Sequence, residues 1–541
     1  MRGASRLKAV VTGVAAVGML ATAACGGGGS TGTGTESASG GEITKNGCTP
    51  QNALIPANTN EVCGGNVLDA ITAKLVHYNS DTAQPENDLA ESIDTSDNQT
   101  FTVKLKQGRK FHDGTEVKAK NFVDAWNFSA SCKQGYVSGY FMEPIEGYAD
   151  LAEDDAGECN PKSDKMSGLE VKDDYTFTIK TSAPVSNLKM RLGYTAFAPL
   201  PDSFFKDPEA YGKMPVGAGA FKLTENNEQQ QVVEKFADYT GDFKPKVDKI
   251  TFKIYNDIKA AFNDVVANQL DVVDQVPADQ MIGDAWKAQL PNRNASKETG
   301  TIQSLAFSPN DEQLKDLNKR KALSMAMNRD QITKQIFNGS RAPLDGWVVP
   351  IVDGYKAGAC GDTCKYDEAK AKELWDAAGG YNGQLQLSVN GDADHKPWAD
   401  AVCNNWRNVL GVDCVVNITP NFKTLRNQIK QGELKGTFRS GWQMDYPHIE
   451  NFLTPIYKTG ASSNDFKYSS PVFDQKLSEA DQATDPAAAN KLYQEAEAEL
   501  AKDLPTIPQW SYTTQFGYSN KVDNVKITPF GTLDLESITA K

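Results

Sequence analysis

Between residues 385 and 445 the hydrophobic period of the chain switches repeatedly, and few folds accommodate that alternation. Leu385, Leu387 and Val389 alternate with polar residues as in a strand, while Trp398, Val402, Trp406 and Val409 recur at helical spacing within 397–410. Residues 412–418 read as a second strand, 425–429 lie in a second helix, and 437–444 form a third strand. Strand–helix–strand–helix–strand with short turns implies parallel strands joined by right-handed crossovers. Ligands of such sheets sit beyond the carboxyl ends of the strands. That rule points to two loops, 390–395 with Asn390 and His395, and 441–445 with Gly441, Trp442, Gln443 and Asp445.

The third strand opens the run GTFRSGWQMDYPHIENFL, 436–453, with Phe438 and Trp442 on one face. Arg439, the Gly441-Trp442 backbone and Asp445 place a cation, a flexible backbone and an anion within seven residues. Such a run suits a ligand carrying both charges, an amino acid or a peptide. A buried Trp beside a solvated Asp is the other reading, and the run alone leaves both open.

A length of 541 residues predicts two to four domains. The first residues stand apart from them. Arg2, Arg6 and Lys8 precede an apolar stretch, 9–21, too short to span a bilayer comfortably, and Ala23-Ala24-Cys25 resembles a bacterial lipoprotein cleavage site, with Thr22 where Leu is common. We therefore expect a signal peptide over 1–24, a lipidated Cys25 and a Gly/Ser/Thr-rich tether over 25–43, a coil reaching roughly 20–25 Å. A plain secretory signal with an incidental cysteine is the alternative. Without residues 1–24 the chain keeps 53 basic and 70 acidic residues, a net of −17, which argues against nucleic acid and against an electrostatic membrane contact. Attachment would be by lipid alone.

Nine cysteines minus Cys25 leave eight, an even number in an exported chain. Eight allow 105 pairings. Their clustering proposes Cys48–Cys63, Cys132–Cys159, Cys360–Cys364 and Cys403–Cys414. The first would contribute about 3 kcal/mol by the chain-entropy model. Zinc competes weakly, because no histidine lies near Cys360 or Cys364.

Residues 67–75 carry Val67, Leu68, Ile71 and Leu75 at helical spacing, 101–105 alternate as a strand, and Ala119, Phe122, Val123 and Trp126 follow helical spacing. The stretch FTVKLKQGRKFHDGTEVKAKNFVDAW, 101–126, resembles the signature of the bacterial extracellular solute-binding proteins of family 5, the dipeptide and oligopeptide receptors of ABC importers. The similarity continues through the Gly-rich loop PVGAGAF, 215–221, the helix KRKALSMAMNR, 319–329, and the run GWQMDY, 441–446. It implies that His112-Asp113 is a structural turn. It also implies an α/β fold of the two-lobed periplasmic-binding-protein type (class II, cluster C), with mixed sheets, an inserted subdomain and a hinge. Lobe 1 would combine 44–76, 198–304 and 507–541. The inserted subdomain would be 77–197, and lobe 2 would be 305–506.

The resemblance further implies ligand roles. Asp445 would pair with a peptide α-ammonium, and Gly441, Trp442 and Gln443 would take the extended peptide as an added strand. Arg439 would meet the carboxylate of a shorter peptide, and His395, a few residues past Asn390, that of a longer one. Ala306 and Ser308 stand where some such receptors carry an acidic residue and an Asn, which leaves side-chain preference open. Expected partners are a peptide and the permease subunits of an ABC importer, reached by a monomer on the outer face of the cell membrane or in the periplasm. No cofactor, resident metal or enzymatic activity is expected. Alternative ligands in this family are nickel or its complexes, for which His77, His112, His395 and His448 are too scattered to argue, and oligosaccharides. The remote alternative, a penicillin-binding-type serine hydrolase, rests on Ser186-x-x-Lys189 and Lys458-Thr-Gly460, patterns short enough to arise by chance.

Overall fold

A computed structural model describes residues 40–541 apart from 153, 156, 157 and 392, so the expected signal peptide, Cys25 and most of the tether lie outside the described residues. The last two residues assigned to the tether, Glu42 and Ile43, belong instead to a strand. Eleven strands form one mixed sheet: β1 (Glu42–Gly47), β2 (Phe221–Asn226), β3 (Gln230–Lys235), β4 (Lys249–Ile254), β5 (Val272–Val273), β6 (Asn294–Phe307), β7 (Arg341–Pro343), β8 (Leu385–Asn390), β9 (Cys414–Thr419), β10 (Thr437–Gln443) and β11 (Thr506–Tyr518). Their order is β2-β3-β4-β1-β5-β11-β6-β10-β8-β9, with β7 also paired to β11. β1, which the polar sequence EITKNG conceals, runs parallel to β4 and β5 near the middle of the amino-terminal half of this sheet. Lys45 is buried there through its ion pair with Asp274.

Helix α1 (Val62–Ile71) starts where the Glu61 carboxylate accepts the Cys63 and Gly64 amides, and stops at Thr72, whose hydroxyl donates to Leu68 O at 2.7 Å. The helical face expected through Leu75 therefore ends at Ile71, and Leu75 is buried beyond it. The loop 215–221 packs on that helix end. A Cβ on Gly217 would lie 1.9 Å from Ile71 O, so only glycine fits. His112 pins the same loop. Its Nδ1 accepts the Gly217 amide at 3.2 Å while its Nε2 meets Gly219 O at 3.0 Å, the pattern of a neutral imidazole. Burial pushes its pKa down to about 4, in keeping with a structural residue.

Strands Ala90–Asp94, Thr100–Leu105, Thr176–Lys180 and Leu169–Asp173 form a separate antiparallel sheet, covered by α2 (Ala119–Ala130) through Phe122 and Trp126 on Phe177. The long strands β6 and β11 link the two halves of the main sheet. Residues 294–298 of β6 pair with 513–517 of β11, residues 302–306 pair with 506–511, and the ladder is irregular between Glu298 and Ile302.

The segment 385–443 folds with β8 parallel to both β9 and β10. Helix α3 (Lys396–Leu410) packs Trp398, Val402 and Trp406 in one core cluster with Leu387 and Val389. Helix α4 (Phe422–Gln431) places Leu425 and Ile429 in another, with Phe438. The two crossovers thus cover opposite faces, and β8 lies between its two parallel neighbours. Four disulfides join the cysteines as Cys48–Cys63, Cys132–Cys159, Cys360–Cys364 and Cys403–Cys414. Helix α5 (Glu450–Tyr457) follows β10, and α6 (Pro486–Asp503), capped by Asp485, leads into β11. Among the described residues no helix is long and apolar enough to cross a membrane.

Candidate functional site

Asp445 lies two residues past the end of β10, on a bend braced by Asn451 of α5. The Asp445 amide donates to Asn451 Oδ1 and Asn451 Nδ2 donates back to Asp445 Oδ2, both at 2.8 Å. The same Asn451 oxygen accepts Trp442 Nε1 at 3.0 Å. One fully buried amide therefore fixes both the aromatic ring and the carboxyl of the run GWQMD. The neighbouring Met444 amide donates to Gly300 O at 2.8 Å, which ties the bend to the irregular part of β6.

The Asp445 carboxyl looks into a cavity of about 290 Å3, walled by residues from 45–88, 193–195, 219–252, 443–445 and 528–536. Crowding by the surrounding protein pushes its pKa up to about 7, hydrogen bonds from Asn451 and Tyr194 oppose that rise, and Glu450 adds to it. None of the groups acting on it is a cation. In turn the Asp445 charge helps hold the hydroxyls of Tyr78, Tyr140 and Tyr194 far above their usual range, after burial itself. When ionised, this carboxyl has no cation among the groups that act on it.

The seven residues singled out from the sequence fall into three groups. Gln443 and Asp445 line the cavity, and Gln443 Nε2 donates to Phe530 O. Gly441 and Trp442 lie within β10, opposite Gln303 and Ile302 of β6. Arg439, Asn390 and His395 gather at the carboxyl end of β8, where its ladder to β10 has stopped, outside the cavity wall. There Arg439 Nη1 donates to Asn390 Oδ1 at 3.4 Å and its guanidinium lies 5.5 Å from the Phe422 ring centre. His395 Nδ1 accepts Trp398 Nε1 at 3.1 Å, which puts the imidazole proton on Nε2. Burial, with Arg439 and Arg341 adding to it, holds that imidazole well below its usual range, so it acts as a neutral donor.

β10 has a further property. Its ladder to β6 covers residues 437–443, but its ladder to β8 stops at Phe438. Among the described residues, the β8-facing edge of 439–443 has no strand beside it. Tyr78, Tyr194, Asn451 and Phe530 belong to this site and were missed from sequence. Asn451 stood within the run 436–453, as the second residue of α5, whereas the tyrosines come from segments with no motif.

The family model described as bacterial extracellular solute-binding proteins, family 5 (middle) matches residues 84–464. The chain belongs to that family. Its dipeptide-binding relative DppE of Bacillus subtilis is 28% identical over 480 residues, 84% of this chain and 83% of that one. The periplasmic oligopeptide-binding protein OppA of Salmonella typhimurium is 25% identical over 466 residues, 82% and 84%. The Escherichia coli murein tripeptide binding protein MppA superposes with a TM-score of 0.83 at 22% identity, covering 92% of this chain and 98% of that one, which establishes the fold expected for the family. Lys458 of the apparent hydrolase pattern is engaged by Glu143 at 2.5 Å. Among the described residues no three His, Cys, Asp or Glu side chains converge as a metal site.

Proposed function

We propose that this chain is the peptide receptor of an ABC importer, taking di- or oligopeptides between two lobes and passing them to membrane permease subunits. The observation that carries the reading is the Asp445 carboxyl, an acid facing a cavity with no cation among the groups that act on it, just past the end of a strand whose neighbouring edge is open among the described residues. A peptide α-ammonium satisfies the first feature, and an extended backbone along 441–443 satisfies the second. Arg439 and His395 then hold peptide carboxylates at greater distances from Asp445, Arg439 for one peptide length and His395 for longer ones. The relatives whose names specify dipeptides and oligopeptides support the same ligand class.

In this reading lobe 1 comprises 44–76, 198–304 and 507–541, the inserted subdomain 77–197, and lobe 2 305–506. Closure bends β6 and β11 where their ladder is irregular, between Glu298 and Ile302, slightly ahead of the 304/305 boundary read from sequence. A lipid on Cys25 holds the receptor at the outer face of the cell membrane, and an acyl mass on residue 25 of the mature protein is its mark.

Calorimetry on a two-by-two cycle tests the ligand contact: wild type and Asp445→Asn, each against a peptide with a free and with an acetylated amino terminus. A hydrogen bond to a charged group contributes roughly 1.5–3 kcal/mol. Stripping one partner from a desolvated pair costs about 3–5 kcal/mol. Asp445→Asn should thus weaken the free peptide by roughly two to three orders of magnitude. Acetylation should cost the wild type heavily and the variant little. Additive losses would show that Asp445 does not touch the ammonium.

A further inference from the structure

The cavity beside Asp445 is more acidic than one α-ammonium requires. Its wall carries six carboxylates, those of Glu61, Asp69, Asp88, Asp445, Asp534 and Glu536, against two lysine ammonium groups, Lys45 and Lys74. The ion pairs of the wall do not remove this imbalance. Asp88 is paired with Arg109 at 2.6 Å, Asp69 with Lys74 at 3.2 Å, and Lys45 with Asp274 outside the wall. Glu61 spends its oxygens on the amides of Gln51, Cys63 and Gly64. Beyond Asp445, that leaves Asp534 and Glu536. Asp534 is buried and accepts the Glu536 amide at 3.0 Å, with no ion pair among the described residues. Glu536 meets His77 Nε2 at 3.1 Å, a partner that is charged only when protonated.

Aromatic rings stand beside Glu536 and share the cavity wall with Asp534. Phe243 stacks on His77 with centres 3.8 Å apart, and Tyr239, whose hydroxyl is raised by burial and then by Asp88 and, past Arg109, by Glu536, shares the wall. A wall that carries both carboxylates and aromatic rings attracts an organic cation with an apolar stem, because the stem packs on the rings while the charge meets the oxygens. The described carboxylates do not converge on a metal ion.

We infer that this cavity selects peptides with a lysine or arginine side chain, and that Asp534 and Glu536 are the residues that receive its charge. This inference rests on the peptide reading above. It assigns Asp445 to the backbone ammonium and the pair 534/536 to a second, side-chain cation.

The test uses the full chain, freed of copurified ligand, and tripeptides and pentapeptides of alanine with one lysine, norleucine or glutamate at each position in turn. In wild type, lysine should exceed norleucine by on the order of tenfold in affinity at one position or more, with glutamate weakest there. That advantage should shrink as salt rises. In the double variant Asp534→Asn/Glu536→Gln the lysine advantage should vanish, while norleucine peptides keep their affinity within about twofold. Asparagine keeps an acceptor for the Glu536 amide, and unchanged norleucine binding shows that the variant is folded. Equal binding of lysine and norleucine peptides in wild type, or an advantage that survives the double variant, overturns the inference and leaves the peptide reading intact. No binding by any of these peptides overturns both.

Discussion

In the proposed reading the Asp445 carboxyl, raised by burial to about 7 from an ordinary 3.8, would couple peptide capture to pH. Because its folded pKa is raised, the stability it contributes to the empty receptor is full below the ordinary carboxylate range and is lost as pH rises through about 7. A bound ammonium reverses the preference and favours the ionised form. Peptide binding at pH 6 should therefore expel close to one proton, since the peptide amine, with a pKa of about 7.7–8.0, remains charged there. Calorimetry in two buffers of different ionisation enthalpy measures that proton. Affinity should climb by up to about tenfold per pH unit between pH 5 and 7, and Asp445→Asn should abolish both the climb and the release. A wild-type binding enthalpy independent of buffer would contradict the assignment. His112 is the contrasting case, a buried histidine whose two ring nitrogens are both taken by the loop 217–219, so its chemistry goes into holding the backbone.

β8, α3, β9, α4 and β10 were readable because each is amphipathic with its own period, and the sheet that forms from them obeys the crossover rule. The alternation 385–389 became β8 with one residue added, and 412–418 became Cys414–Thr419. β1 was not readable. Its six residues include one large apolar side chain, and it is stabilised by pairing on both sides and by the Lys45–Asp274 contact, none of which a local pattern records. The bridge Cys403–Cys414 fastens α3 to β9 inside the core cluster that holds Trp398 and Trp406. Closing a loop of that size removes about 3 kcal/mol of chain entropy from the unfolded state. Cys403→Ala/Cys414→Ala should lower the urea midpoint by an amount equivalent to roughly 2–4 kcal/mol, and an unchanged midpoint would mean the bridge constrains nothing that unfolds.

Across the molecule, the inserted subdomain and lobe 2 of the proposed division meet through polar contacts. Arg191 Nη2 reaches Glu450 Oε2 at 3.3 Å and Asp481 Oδ1 at 3.7 Å, with Arg191 and Glu450 nearly inaccessible to water. Lys458 pairs with Glu143, Asn187 Nδ2 lies 3.4 Å from His448 Nδ1, and Tyr194 bonds Asp445. Opening would break all of them, so a ligand that spans the lobes shifts the balance towards closure. Small-angle scattering should give a smaller radius of gyration with saturating peptide than without. Arg191→Ala leaves Glu450 and Asp481 without their buried cation, so it should hold the radius at the open value until higher peptide concentration, weakening affinity by roughly 10–100-fold. An identical radius with and without peptide in wild type would refute closure.

The local patterns of the chain were enough for the parallel crossovers of 385–443, the two loops at their carboxyl ends, and the pairing of cysteines close in sequence, because each depends on contacts among near neighbours. The assembly of the cavity was beyond them. Tyr78, Tyr194 and the segment holding Phe530 and Glu536 reach Asp445's cavity from three parts of the chain far apart in sequence. The raised pKa that makes Asp445 chemically unusual is likewise a product of burial by the surrounding protein. A carboxylate's identity is written in one position, whereas its desolvation is a sum over whatever the fold packs around it, and no periodicity encodes that sum.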